Sequence, residues 1–181
     1  MKQHLSDFID MTNEHIELVY RWRNQPHIRE VMYNSNLLDW NDHLQWFNSI
    51  SNDNTKVVKI LYYNDVPFGV ANFKFTNSQS NVGEWGFYIG EKDAPKGMGK
   101  LLAYKMLCYL FEELKVRKIC AEVLDYNQIS LKFHEKVGFI QEGILRKHII
   151  KYNNYCDVYL FSIFADEWIQ KKRQLEKELF N

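Results

Sequence analysis

The chain has 181 residues, 46 % of them hydrophobic and 15 % aromatic, with Lys plus Arg equal to Asp plus Glu at 23 each. That length and apolar content support one packed domain over residues 1–181 and exclude a disordered chain. A formal net charge of zero excludes bulk attraction to nucleic acid or to an anionic membrane, so any anion has to be held locally.

Residues Met1 to Asp10 mix Lys2, His4 and Asp7 with few apolar positions, which is no leader sequence. The next third reads helical. Thr12-Asn13-Glu14 looks like a cap before Ile16, Leu18, Val19 and Trp22. Pro26 starts a short second helix through Met32. Asp39 caps a third helix carrying Leu44, Trp46, Phe47 and Ile50. Lys56 to Tyr63 and Pro67 to Phe75 then read as a hairpin around Asn64-Asp65. Asn77 to Asn81 is a polar turn into a third strand, Val82 to Gly90.

Met98, Leu101, Leu102, Met106, Leu110, Phe111 and Leu114 form a helical stripe. Arg117 to Asp125 is a strand, and Gln128 to Val137 a short helix with Gly138 near its C-cap. In that helix Ile129, Phe133 and Val137 are spaced to face the core. Phe139 to Arg146 and Tyr155 to Phe164 pair around Asn153-Asn154, and a charged helix follows from Asp166. The order predicts an α/β or α+β domain on a single sheet. Cys108, Cys120 and Cys156 are isolated and odd in number, as in a reduced cytosolic protein, and no metal-ligand spacing occurs. No run of about 20 apolar residues suggests a membrane span.

Two segments carry chemistry. Phe87 to Leu102 runs from a strand through a Pro/Gly turn into a helix, which makes an anion site: the first amides of a helix have no internal partner. Gly97 and Gly99 allow close approach to the backbone, and Lys96 and Lys100 add charge. In the second segment Asn127, Ser130 and His134 form a polar stripe on the short helix, either a solvated side or the lining of a cofactor site.

Together, in this order, the two segments resemble the GNAT superfamily of acetyl-CoA-dependent N-acetyltransferases. The pyrophosphate turn of that family, Gln/Arg-x-x-Gly-x-Gly/Ala, stands here as Ala94-Pro-Lys-Gly97-Met-Gly99, with Ala94 in place of Gln or Arg. Its later motif stands as Asn127, Ser130 and His134-Glu-Lys136-Val-Gly-Phe139, with His134 in place of Tyr. The resemblance implies a mixed, mostly antiparallel twisted sheet flanked by helices, with a C-terminal helix.

It also implies acetyl-CoA as donor, held by Lys96, Gly97, Met98, Gly99, Lys100, Asn127, Ser130 and Lys136, with the Tyr88–Ile89 backbone polarising the thioester. Glu122 or Glu84 would be the base. His134, as imidazolium, would protonate the departing sulfur.

Trp22-Arg23-Asn24, Met32-Tyr33, His43-Leu44 and Phe47 are similar to the branch that acetylates UDP-linked 4-amino sugars of the pseudaminic acid pathway. This makes Arg23, Asn24, Met32, Tyr33, His43 and Phe47 the expected contacts of a nucleotide-sugar substrate. An acceptor that is a protein N-terminus or a small amine is the second reading, and a silent acyl-CoA-binding module the third. The strand Tyr155–Phe164 with its tail helix offers a face for a homodimer.

Overall fold

A computed structural model describes residues 5–180. The first four positions, on which part of the leader reading rests, lie outside the described residues. The elements are β1 (Ser6–Asp10), α1 (Ile16–Arg23), α2 (Pro26–Arg29), α3 (Trp40–Ser51), β2 (Lys56–Tyr63), β3 (Val66–Asn77), β4 (Val82–Ile89), α4 (Met98–Cys108), β5 (Lys118–Leu124), α5 (Gln128–Val137), β6 (Ile140–Lys151), β7 (Asn154–Phe164) and α6 (Ala165–Phe180).

The strands form one seven-stranded sheet in the order β1-β2-β3-β4-β5-β7-β6. All neighbours are antiparallel except β4 and β5. The expected mixed, mostly antiparallel sheet with a C-terminal helix is therefore present.

Alternation along the central strands sets the layers. On β2 and β3, Leu61, Ala71 and Phe73 pack into the core built on α4, α5 and α6, while Ile60 and Val70 pack under Val19, Trp22 and Ile28 of α1 and α2. Helices thus cover both faces. The α4 segment is buried almost all round, from Met98 to Leu107, and closes in a π turn over Tyr109–Glu113 that its stripe of apolar residues did not predict.

Local chemistry fixes several boundaries. Asp39 Oδ1 accepts the amides of Asn41 and Asp42 and starts α3. Asn64 and Asp65 both take positive φ, at 50° and 62°, in the tight turn between β2 and β3. Gly138 takes φ 103° and ends α5.

Four expectations are corrected. The strand β1 was not expected. It is five residues long, and only Ser6 in it is buried. The second helix ends at Arg29, not Met32. Ile129 does not face the core: it is 86 % exposed, and α5 buries Leu131, His134 and Val137 instead. The strand β6 runs on to Lys151, past the expected end at Arg146, and β7 lies inside the sheet between β5 and β6.

Candidate active site

Strands β4 and β5 share only three parallel rungs, Val82 with Lys118, Gly83 with Ile119 and Glu84 with Cys120. Beyond them each strand keeps its other neighbour: Gly86 pairs Asn72 of β3, and Ala121 pairs Phe161 of β7. The two strands therefore splay into a wedge. The Gly90 amide donates to Phe68 O at 2.8 Å, on the β3 side. Antiparallel alternation then turns the amides of Ile89 and Phe87 toward the wedge.

A cavity of about 600 Å³ fills this opening. One wall is the β4 run Trp85 to Ile89, and another is Ala121 to Leu124 of β5 with Asn127, Ser130 and His134. The far rim comes from Arg23, His27, Met32 and His43. Glu122 is the only carboxylate among the described residues that line it.

The turn after β4 leads to Gly97, the N-cap of α4, in left-handed conformation at φ 101°. Leu101 N donates to Gly97 O at 3.0 Å as the first rung of the helix, which leaves the Gly99 and Lys100 amides without helical partners. A Cβ on Gly99 would meet only Phe133 Cε2 at 3.7 Å and Ile89 Cγ1 at 4.0 Å. This bare helix start at the end of β4 suits a pyrophosphate whose acyl arm runs into the wedge. Met98 is buried in the core, and its amide donates to Pro95 O, so neither part is presented at the turn. The Lys100 ammonium is bound to Glu178 of α6 at 2.6 Å. Lys96 and Lys136 are exposed and lie outside the cavity lining.

Asn127 caps α5, its Oδ1 accepting the Ser130 amide at 3.2 Å. His134 lies one turn on and is 4 % exposed, enclosed by Trp85, Phe87, Phe139 and Phe161. Burial drives its pKa down to about 4, against the opposing hydrogen bond to Ser130 O. Near neutral pH the ring is uncharged, and with Nδ1–H donating to Ser130 O at 2.8 Å the Nε2 atom keeps its lone pair. The imidazolium acid expected here is thus corrected: the aromatic cage removes the solvation a charged ring needs.

On β5, Glu122 is exposed and faces the opposite side from the buried Ala121 and Val123. It accepts a hydrogen bond from the phenol of Tyr33. The phenol pKa is raised, first by burial and then by that bond. Glu84 is exposed on β4 and lies outside the cavity lining.

Arg23 enters from the end of α1. Its Nη2 donates to Asn34 O at 3.0 Å, while Nη1 is buried without a hydrogen-bond partner. Burial lowers the pKa of the guanidinium from its usual value. Asn24 holds the backbone of Leu38 at both ends of its amide, at 3.1 and 2.8 Å. That engagement makes it a brace of the rim and not the substrate contact expected. His43 is buried, holds Ile16 O through Nε2 at 2.9 Å and stacks on Trp46. Phe47 belongs to the core and not to the cavity lining.

Asn72, His27 and Trp46 line the cavity without having been singled out. Asn72 carried a legible signal, a polar residue inside the apolar run Gly69-Val-Ala-Asn-Phe. His27 and Trp46 carried none.

Among known proteins, the profile of the acetyltransferase (GNAT) domain matches residues 8–140. The acetyltransferase PseH of Campylobacter jejuni (strain 81-176) is 30 % identical over 135 residues, 75 % of this chain and 83 % of that protein. A putative ribosomal N-acetyltransferase of Bacillus subtilis, YdaF, is 27 % identical over 62 % of this chain and 61 % of its own length. In fold, the chain is similar to spermidine N-acetyltransferase from Vibrio cholerae in complex with CoA and spermine. The TM-score is 0.85 and the identity 18 %, with 92 % of this chain and 99 % of the other covered.

Proposed function

The chain belongs to the GNAT acetyltransferase family, and from that premise we propose that it transfers the acetyl group of acetyl-CoA to the 4-amino group of a UDP-linked amino-deoxy sugar, as in nonulosonate synthesis of the pseudaminic acid type. One observation carries the reading: the acceptor end of the cavity joins the Arg23 guanidinium to an apolar wall of Val19, Ile28 and Met32, with Glu122 as its single carboxylate. Such a lining favours an anionic acceptor with an apolar body and disfavours a polyamine, which several carboxylates would bind. The likeness to PseH points the same way.

The bare start of α4 and the wedge fit a pyrophosphate and a narrow acyl arm, and the acetyl thioester then supplies the reactive carbonyl. Gly99 and Lys100 amides hold the phosphates, and Asn127 and Ser130 border the arm. The Ile89 amide donates to the carbonyl oxygen and stabilises the charge that develops on it. Glu122 accepts a proton from the acceptor ammonium, directly or through water, so that the nitrogen lone pair can attack. As the C–N bond forms and the C–S bond breaks, the second proton leaves nitrogen for water, and Glu122 returns the first to solvent before the next turnover. A thiol is far more acidic than the competing amine, so the sulfur departs as thiolate without a strong acid, consistent with an uncharged His134.

A thiol-release assay with acetyl-CoA against UDP-linked 4-amino sugars, a peptide with a free Ser or Ala terminus, and spermidine tests this. Turnover confined to the UDP-amino sugars is expected. Turnover on the peptide or spermidine instead would replace the reading with the second one, and acetyl-CoA binding without turnover on any acceptor would favour the silent module.

A further inference from the structure

Strand β4 carries Gly83 and Gly86, and the two have different reasons. A Cβ on Gly83 would lie 2.3 Å from Phe73 Cζ and 2.5 Å from Lys74 O, so packing excludes a side chain there. Gly86 has no such neighbour. The three atoms nearest to a Cβ on it all belong to the Asn72 side-chain amide, with Oδ1 at 3.4 Å and Nδ2 at 3.6 Å. Its φ is not positive, so the backbone does not call for glycine either. A strand glycine that neither packing nor conformation demands gives up stability, and such a glycine often marks a place where a ligand approaches the backbone.

Gly86 lies on the floor of the cavity, between Asn72 and Glu122. Asn72 of β3 pairs with Gly86 across the antiparallel ladder. On the other side, Glu84 and Cys120 form the last parallel rung, and Gly86 and Glu122 each stand one alternation further along their strands. Alternation therefore turns Asn72 and Glu122 to one face of the sheet, on either side of the bare glycine. All three residues line the cavity. Two strand spacings set Asn72 and Glu122 roughly 10 Å apart, and more where the wedge opens. That span takes a ring whose amine and neighbouring hydroxyl each make one hydrogen bond, to the carboxylate and to the amide.

The Asn72 amide is available for such a bond. Asn72 is exposed, and among the described residues no hydrogen bond engages its side chain. The other asparagines at the cavity are held by the chain itself: Asn24 by the backbone of Leu38, and Asn127 by the Ser130 amide.

We infer that Asn72 determines acceptor specificity: its amide hydrogen-bonds the hydroxyl on the sugar carbon next to the one that bears the amine, with Gly86 as the clear floor beneath the ring. The inference rests on the nucleotide-sugar reading and deepens it. The hydroxyl accepts a hydrogen from Nδ2 or donates its own to Oδ1. A sugar without that hydroxyl leaves the amide unpaired beneath the bound ring, and the discrimination arises there.

The test is steady-state kinetics at saturating acetyl-CoA with a UDP-linked 4-amino-6-deoxy sugar bearing the hydroxyl, and with its analogue lacking it, on the wild type, Asn72→Ala and Gly86→Ala. The wild type should prefer the hydroxylated sugar by roughly tenfold or more in kcat/KM. In Asn72→Ala that preference should vanish, through a loss on the hydroxylated sugar alone, with KM for acetyl-CoA unchanged. A merely structural role would lower both sugars alike and keep the preference, which would overturn the role of Asn72. So would a wild type that uses both sugars equally; either result leaves the nucleotide-sugar reading standing. Gly86→Ala has room to fold, and its methyl group should raise KM for the acceptor by roughly tenfold or more. An unchanged acceptor KM there would overturn the clear floor. Turnover of neither sugar by the wild type, with turnover of a peptide or spermidine, would overturn the nucleotide-sugar reading and this inference with it.

Discussion

Tyr33, on the segment after α2, donates its phenolic hydrogen to Glu122 Oε2 on β5, joining residues 89 apart in sequence across the mouth of the cavity. The bond holds the one carboxylate of the cavity lining at the open end of the wedge, where an acceptor amine has to arrive. Glu84, the alternative base, stands on the last rung that β4 shares with β5 and outside the lining. Glu122→Gln should therefore lower kcat by roughly 10²-fold or more, with acetyl-CoA affinity unchanged, while Glu84→Gln stays within a few fold of wild type. Steady-state kinetics on both variants decides, and a loss confined to Glu84→Gln would move the base to β4.

His134 gives a pH prediction whose sign follows from its cage. Its folded pKa, about 4, lies below the ordinary value of 6.5. Between the two the unfolded chain binds the proton and the folded chain does not, so stability falls as pH drops through that window. Above pH 6.5 both states are neutral and the effect is absent. The full loss is at most about 3 kcal/mol. Thermal unfolding between pH 7 and pH 4.5 should show a steeper decline for the wild type than for His134→Phe, whose ring suits the surrounding aromatics. Parallel declines would mean that the buried ring does not govern the acid limb.

At the start of α4, the space around Gly99 separates folding from binding. A Cβ there makes only ordinary contacts, at 3.7 and 4.0 Å, so Gly99→Val should keep a Tm within a few degrees of wild type. Its branched side chain would instead stand over the amides proposed to hold the pyrophosphate. Calorimetric titration should show acetyl-CoA affinity reduced at least roughly tenfold. Retained affinity would remove this turn from the cofactor site.

What the sequence disclosed follows from how local each signal is. The bounds of β2 and α5 were readable because an apolar run, a cap and a terminal Gly138 are all contained in a few residues. The strand β1 was not, because Ser6–Asp10 borrows its stability from the β2 edge and buries only Ser6. Ile129 misled because a spacing of four marks a stripe but not which way it turns; α5 rests on Leu131, His134 and Val137. The rim was least legible. That Asn24 braces Leu38, that Tyr33 meets Glu122 and that Lys151 is buried all depend on loops brought together by the sheet.

The position of Arg23 rests on its neighbour Trp22, and Trp22 rests on Gly90. A Cβ on Gly90 would lie 2.0 Å from Trp22 Cδ2, inside any tolerable contact. The ring is 1 % exposed, its Nε1 donates to Glu91 Oε1 at 2.8 Å, and Gln25 Nε2 donates to Gly90 O at 2.9 Å. The end of β4 thus clamps α1 with no slack. Gly90→Ala should cost about 1–3 kcal/mol or more by overpacking, a fall in Tm of several degrees for a chain of this length. As α1 shifts, KM for the acceptor should rise more than KM for acetyl-CoA, because Arg23 moves and the α4 turn does not. Trp22→Ala removes the ring that the added Cβ of Gly90→Ala would strike, so the double variant should lose less stability than the sum of the single losses. Strict additivity would mean that the alanine is accommodated elsewhere and that the clamp does not set Arg23.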